Sequence, residues 1–600
     1  MGISGKYMII GLWCLISVPV FGNGRYLELN LSERTAKNSL FASGPESYFN
    51  VFRVIERASK DKNIRGIVLN LSDFSADRAY IWELRNALEA FKTAGADAKS
   101  MDGGAKNGDS SENGNHKKIV AYFNNADMDL YLLASVADKI VMDEAGSLMF
   151  LGYVYGRGFA RHALEKLGVG VRELRYLEYK SAMETFTRDR LSEADKKQYG
   201  EYLDDIFGLT RDTLMQARSW TGEEFDAILN REYIYSAKRA LDRGLADRIG
   251  RDQAVTEVIR ELGTSTEGSP GAEPAFALYG DPATSLMGAG SKYGPGRNRN
   301  PFGMRPEIAI IYASGNTDLD SGMGARDLSR SIRETSERRS VKAMVIRINS
   351  PGGSAEAADH IAEAVRFAKK RIPVVVSMGS VAASGGYWAG MYASHITASP
   401  YTLTGSIGVI GSWFFDQGIN EKLGLSMDLL KRGNHADLMA GIILPYRDLS
   451  EDEEEQHRQY ILDLYRDFVL KAAAGRSMSI EAVEAVAQGR VLSGLDAKDA
   501  GLVDSIGGLA DAVRIARGLA KIGDDKKVSY NEYPKPTFFD NLLRRFGFSV
   551  SGAMGLAGMR SASPLPALSP ALEDIRYRLS RNGEAMPILP LSAGEFGGRF

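Results

Sequence analysis

Ser384 lies in the run Ser377-Met378-Gly379-Ser380-Val381-Ala382-Ala383-Ser384-Gly385-Gly386-Tyr387-Trp388, after an apolar strand at 374–376 and ahead of what reads as a buried helix. Small neighbours let other backbone come close to a hydroxyl, which a nucleophile needs and a packing serine does not. Upstream, a second strand runs into Asn349-Ser350-Pro351-Gly352-Gly353-Ser354, whose glycines can expose backbone N–H groups to a developing oxyanion. Together the two loops suggest serine-type acyl transfer.

A serine nucleophile needs a base. The six histidines (116, 162, 360, 395, 435 and 457) lie in no small-residue loop that suggests a site. Lysine is an alternative base when an apolar pocket lowers its pKa and supplies the free amine. The candidate is Lys180, in Tyr176-Leu177-Glu178-Tyr179-Lys180-Ser181-Ala182-Met183, flanked by aromatic and apolar residues. An arbitrary lysine is usually solvated, so the choice leans on an internal repeat.

Glu165-Lys166-Leu167-Gly168 recurs as Glu421-Lys422-Leu423-Gly424, a displacement of 256. Residues 137–140 match 393–396 at the same spacing, 244–250 match 501–507 at 257, and 64–71 match 341–348 at 277. The extra length corresponds to a polar tract at 95–117, which reads as a disordered insertion. On this register Met128 stands opposite Ser384, Ser75 and Ala76 opposite Gly352 and Gly353, and Ala436 opposite Lys180. The front copy keeps the lysine and lacks the serine; the rear copy does the reverse.

Each copy alternates β-branched strands (308–312, 343–348, 374–376) with helical periodicity (355–370), which argues βαβ units and an α/β class with a mostly parallel sheet. The organisation expected is a segment at 1–24, a front repeat at 40–263, a linker at 264–305, a rear repeat at 306–530 and a weakly patterned tail at 531–600. A chain of 600 residues with 44% hydrophobic content needs more than one core, and its net charge of −2 gives no reason to propose a nucleic-acid partner. The one cysteine, Cys14, excludes an intrachain disulfide. The apolar run at 7–21 after Lys6 suits a signal or signal-anchor segment, with the bulk of the chain outside the cytoplasm. The acidic run at 451–455 reads as a solvated helix start, Tyr387 and Trp388 as core, and no zinc or calcium ligand cluster is evident.

Four runs closely resemble the signal peptide peptidase A family in its long, duplicated form: Tyr179-Lys180-Ser181-Ala182, Asn349 to Ser354, Ala382 to Trp388, and Leu403-Thr404-Gly405-Ser406-Ile407-Gly408. The resemblance covers roughly residues 40–530. It implies two tandem ClpP/crotonase-like domains and a membrane-associated serine peptidase with a Ser-Lys dyad that degrades cleaved signal peptides. On it, Ser384 is the nucleophile, Lys180 the general base and Ser406 the hydroxyl that orients the amine. Gly353 and Gly385 form the oxyanion hole, while Gly352 and Ser354 line the edge where an extended peptide pairs. No cofactor is implied. A homotetramer is expected, in the inner membrane with its bulk on the periplasmic side. The alternatives are a crotonase-type acyl-CoA enzyme, which needs neither the serine nor the lysine, and a catalytically silent scaffold on the same fold.

Overall fold

The computed structural model describes residues 25–31, 48–72, 74–94, 116–262, 275–278, 305–534 and 577–589. The segment at 1–24 and the tract at 95–115 lie outside them. Each copy builds one sheet. The front sheet has seven strands, with Ile234–Ser236, Lys139–Met149, Lys118–Ala126, Ile64–Asn70, Arg25–Asn30 and Ala275–Leu278 side by side in that order. The rear sheet has eight, with Val491–Ser493, Leu403–Gly405, Val374–Ala383, Val341–Ser350, Glu307–Ser314 and Ser529–Tyr533 in the matching path. The central strands are parallel and buried on both faces, which is why they read as apolar runs and not as alternating ones.

The duplication is visible in local detail. Both copies carry a 26-residue helix, Glu193–Arg218 and Glu451–Arg476. Each is N-capped by a serine hydroxyl (Ser192, Ser450) and ends on a left-handed serine (Ser219, Ser477). At the turn after the third strand the copies differ in register by one residue. The N-cap before Met128–Ala134 is Asp127, and the N-cap before Gly385–Gly390 is Ser384. Asp127, not Met128, therefore stands opposite Ser384.

Three segments fall outside the expected boundaries. Arg25–Asn30 precedes residue 40 yet pairs in parallel with Ile64–Asn70. Ala275–Leu278 lies inside the expected linker and forms the edge of the front sheet. Ser529–Tyr533 runs into the expected tail as the edge strand beside Glu307–Ser314. The acidic helix start also differs from its expectation at one position: Glu453 is buried and paired with Arg447, because its side chain closes the capping box with Ser450.

The halves share one core. Leu84, Leu88 and Phe91 of the front helix Arg78–Thr93 belong to the same buried cluster as Leu509, Ala512, Val513 and Ala516 of the rear helix Leu509–Leu519. Across this seam the buried Glu83 carboxylate meets the Arg347 guanidinium at 2.8 Å and accepts the Leu509 N–H at 2.9 Å. Arg347 also donates to Ser377 Oγ at 2.8 Å, on the strand that leads to Ser384. A small antiparallel sheet adds a second tie, pairing Val169–Leu174 of the front copy with Ile410–Asp416 of the rear copy. Glu83→Ala leaves the Arg347 charge without this carboxylate and is expected to cost about 3 kcal/mol, read as a lowered denaturant midpoint at unchanged slope.

Candidate active site

The strands at the seam end where the candidate residues begin. Val374–Ala383 delivers Ser384 from its C-terminal end, and Val341–Ser350 delivers Pro351, Gly352 and Gly353 beside it. The Ile410–Asp416 and Val169–Leu174 pairing draws Ser406, just before one strand, towards Lys180, just after the other. Lys180 Nζ consequently lies 2.6 Å from Ser384 Oγ, 2.8 Å from Ser406 Oγ and 3.1 Å from the Ser406 carbonyl oxygen, all within one chain. All three residues are buried. Burial pushes the Lys180 amine well below the ordinary lysine range, and the like charge of Arg578 adds to the shift.

Ser384 occupies φ +58°, ψ −117°, a region that non-glycine residues avoid. Its N–H donates to the Gly405 carbonyl at 2.8 Å, and its own carbonyl accepts the Trp388 N–H at 2.9 Å, so the turn is held from both sides. The close approach explains the small residues that follow: a Cβ at Gly386 would sit 2.6 Å from the Ser350 carbonyl oxygen.

The amides of Gly353 and Gly385 converge on one point. Both donate to the carbonyl oxygen of Pro587, at 2.8 and 3.0 Å. Gly352 forms an antiparallel bridge with Ile588. Ser354 does not join this group. It caps the helix Ala355–Lys369, its hydroxyl accepting the Ala357 N–H and its own N–H donating to the Thr317 carbonyl. Tyr387 and Trp388 are buried, their polar tips bonded to the Leu502 carbonyl and to Asp359.

Several residues that hold the site have no counterpart in the sequence reading. The Lys180 loop is clamped by a fully buried Arg157–Asp195 ion pair. Asp195 accepts from Ser181 Oγ at 2.5 Å, and Arg157 donates to the Ser181 carbonyl at 2.9 Å. Gln198 bridges the copies, donating to the Tyr179 carbonyl and accepting the Val491 N–H, each at 3.0 Å. Gly489 backs the lysine at φ +82°, where an added Cβ would lie 2.7 Å from Lys180 Cβ, and its carbonyl accepts from Ser406 Oγ at 3.2 Å. In sequence, Arg157, Asp195 and Gln198 look like ordinary polar surface, and Gly489 like any turn glycine.

Two stability measurements test this geometry. Ser384→Gly is expected to be about 1 kcal/mol more stable than Ser384→Ala, because only glycine relieves the positive φ, part of the gain being offset by chain entropy. Lys180→Met is expected to be at least as stable as the wild type at pH 7. Burial lowers the native amine's pKa well below the unfolded value of about 10.4, so between the two unfolding takes up a proton and wild-type stability rises with pH over that window. The Tm difference between the two should therefore narrow as pH approaches 10.

Residues 111–265 and 366–523 match peptidase family S49. The chain is 30% identical over 507 residues to the chloroplastic serine protease SPPA of Arabidopsis thaliana, covering 83% of this chain and 69% of that protein. To Protease 4 of Salmonella typhi it is 30% identical over 559 residues, covering 91% and 82%. A putative signal peptide peptidase SppA of Enterococcus faecium is 34% identical over 200 residues, covering 33% and 57%. With a region matched in each of its two tandem α/β copies, the chain belongs to peptidase family S49, a serine peptidase family.

Proposed function

We propose that this chain is a serine endopeptidase in which Ser384 is the nucleophile and Lys180 the general base. The observation that carries the reading is the 2.6 Å contact between a buried amine and a buried hydroxyl from opposite copies. A neutral amine has two N–H groups. With both directed at Ser406, to its hydroxyl and its carbonyl, the lone pair faces the Ser384 hydroxyl.

Ser384 Oγ attacks the peptide carbonyl carbon as its proton passes to Lys180 Nζ. The carbonyl oxygen becomes an oxyanion between the Gly353 and Gly385 amides. Collapse breaks the C–N bond, and the proton returns from Lys180 to the leaving amine, giving an acyl-enzyme on Ser384. Lys180 then takes a proton from water, hydroxide attacks the ester, and the Ser384 oxygen leaves with the proton restored. Ser406 holds the amine in line, and Gly352 pairs with the extended substrate.

The substrate class in this reading is an extended, apolar peptide of the kind left by signal cleavage, processed at the inner membrane on its periplasmic side by a homotetramer. The buried apolar cluster beside the Lys180 loop, which includes Ala182, Met183, Phe186, Ile410 and Phe414, supports the apolar preference. The exposed Leu425, Leu430, Ile442 and Ile443 of the rear copy offer apolar surface that an assembly can cover. Among the described residues no helix is long and apolar enough to cross a membrane, and attachment rests in this reading on residues 1–24.

Ser384→Ala and Lys180→Met should each lower kcat on an apolar peptide by roughly 1,000-fold or more, and the double variant should be no worse than either alone, since the two act as a unit. Activity should rise with pH through the lowered Lys180 titration and be complete well below the pH at which ordinary lysines deprotonate. Full activity of Lys180→Met would overturn the dyad.

A further inference from the structure

The groove beside Ser384 has a counterpart in the front copy. The two sheets run in the same register as they approach it. Ser147 pairs with Ser236 as Leu403 pairs with Ser493, and Asn125 pairs with Ser147 as Val381 pairs with Leu403. The displacement of 256 therefore carries into the loop that follows, setting 151–154 opposite 407–410. In the rear copy the two walls hold an extended strand: Ile410 and Gly411 pair with Met586 and Ala585, and Gly352 bridges Ile588. The matching front walls, at 74–76 and 151–154, enclose a cavity of about 260 Å³.

This front groove is built to hold a chain. Phe74, Ile81, Met128, Met149, Leu151 and Val154 give it a mostly apolar lining. Leu151 and Val154 form its lip and are 58% and 71% exposed, so apolar surface there gains from being covered. No backbone N–H or carbonyl from 151 to 154 has a hydrogen-bond partner among the described residues, which leaves a short open edge. The edge is nevertheless fixed in place. The Tyr153 hydroxyl donates to Asp129 at 2.5 Å, and the Arg78 guanidinium lies 3.8 Å from the centre of the Tyr153 ring while bonding the same carboxylate at 3.0 Å.

What the front groove lacks is the means to cut. Asp127 stands where Ser384 does, and its carboxylate is taken up by the Leu130 N–H at 2.8 Å. Gly352 and Gly353 reach φ +103° and +156°, a conformation that the Ser75 and Ala76 opposite them adopt only with strain. We infer that the front groove is a second, non-catalytic peptide site, which binds an extended apolar segment by strand addition along 151–154 and leaves it intact. The inference rests on the proposed peptidase activity for its class of ligand, and adds a docking site separate from the dyad. Main-chain bonds to 151–154 supply affinity, and Leu151 and Val154 select apolar side chains.

Binding of a fluorescent leucine-rich peptide carrying one benzophenone to the full-length Ser384→Ala protein tests this, with hydrolysis of an apolar reporter by the wild type measured in parallel. Illumination followed by peptide mapping should place crosslinks on 74–76 or 151–154. Leu151→Asp/Val154→Asp in the same background should weaken binding by about tenfold or more, because two charges then face the apolar lining. Leu151→Met/Val154→Ile should retain it. Unchanged binding by the aspartate pair, or crosslinks confined to 350–354 and 406–411, overturns the inference. Crosslinks that join 151–154 to a second chain, with no peptide captured, assign the groove to another copy and overturn it equally. If the wild type hydrolyses the reporter while the front groove captures nothing, this inference falls and the peptidase reading stands; no hydrolysis and no capture overturns both.

Discussion

A buried lysine amine, 2.6 Å from a serine hydroxyl on another part of the chain, is the constraint to which the rest of the molecule answers. Burying an ammonium costs several kcal/mol, and that cost drives the Lys180 pKa well below the ordinary lysine range. The neutral form then requires two acceptors for its N–H groups and a donor for its lone pair. Ser406 supplies the first two, through its hydroxyl and its carbonyl, and Ser384 supplies the third. Bulk water around Lys180 would weaken the burial that lowers its pKa, so the pocket must be enclosed as well as correctly spaced.

Keeping the amine enclosed explains why so much of the structure converges there. The loop bearing Lys180 has no regular hydrogen-bond ladder of its own, and a mobile loop would let water in. A buried ion pair, Arg157–Asp195, and the Gln198 bridge hold it. Such groups are a poor source of net stability but a good source of fixed geometry, since each has one arrangement that satisfies it. The antiparallel pairing of Val169–Leu174 with Ile410–Asp416 sets the distance between the two loops, because a slip of one residue would turn every side chain to the other face.

The parts of this arrangement legible in sequence are those where chemistry forces an unusual residue choice. The glycine pair, the small residues around Ser384 and the complementary loss of lysine and serine between copies are hard to explain by packing. The helix and strand cores were legible from periodicity, and the structure extends them mainly at their ends, where pairing with a neighbour prolongs a strand beyond its apolar run. What was not legible depends on partners distant in the chain. Asp195 and Gln198 lie on a helix whose pattern reads as solvated, and only the rear copy's Val491 and the Arg157 side chain make them interior. Ser354 sits in the glycine loop and looked like part of a binding edge, yet the following helix claims its hydroxyl as a cap. The one-residue offset that sets Asp127 opposite Ser384 arises within a turn, where repeat alignment has no periodicity to hold it.

Dividing the pair between copies also has a structural consequence. In a single unit, serine and lysine can sit on neighbouring loops of one sheet, and the site survives whatever that sheet survives. Here either half folded alone would expose the seam that Glu83, Arg347 and the shared helices bury, and neither would hold a complete pair. Docking of the halves and assembly of the pair are therefore one event: the seam must close before Lys180 is buried against Ser384. That order confines the close pairing of amine and hydroxyl to the finished molecule, and it makes the core between the copies as much a part of the site as the loops that carry it.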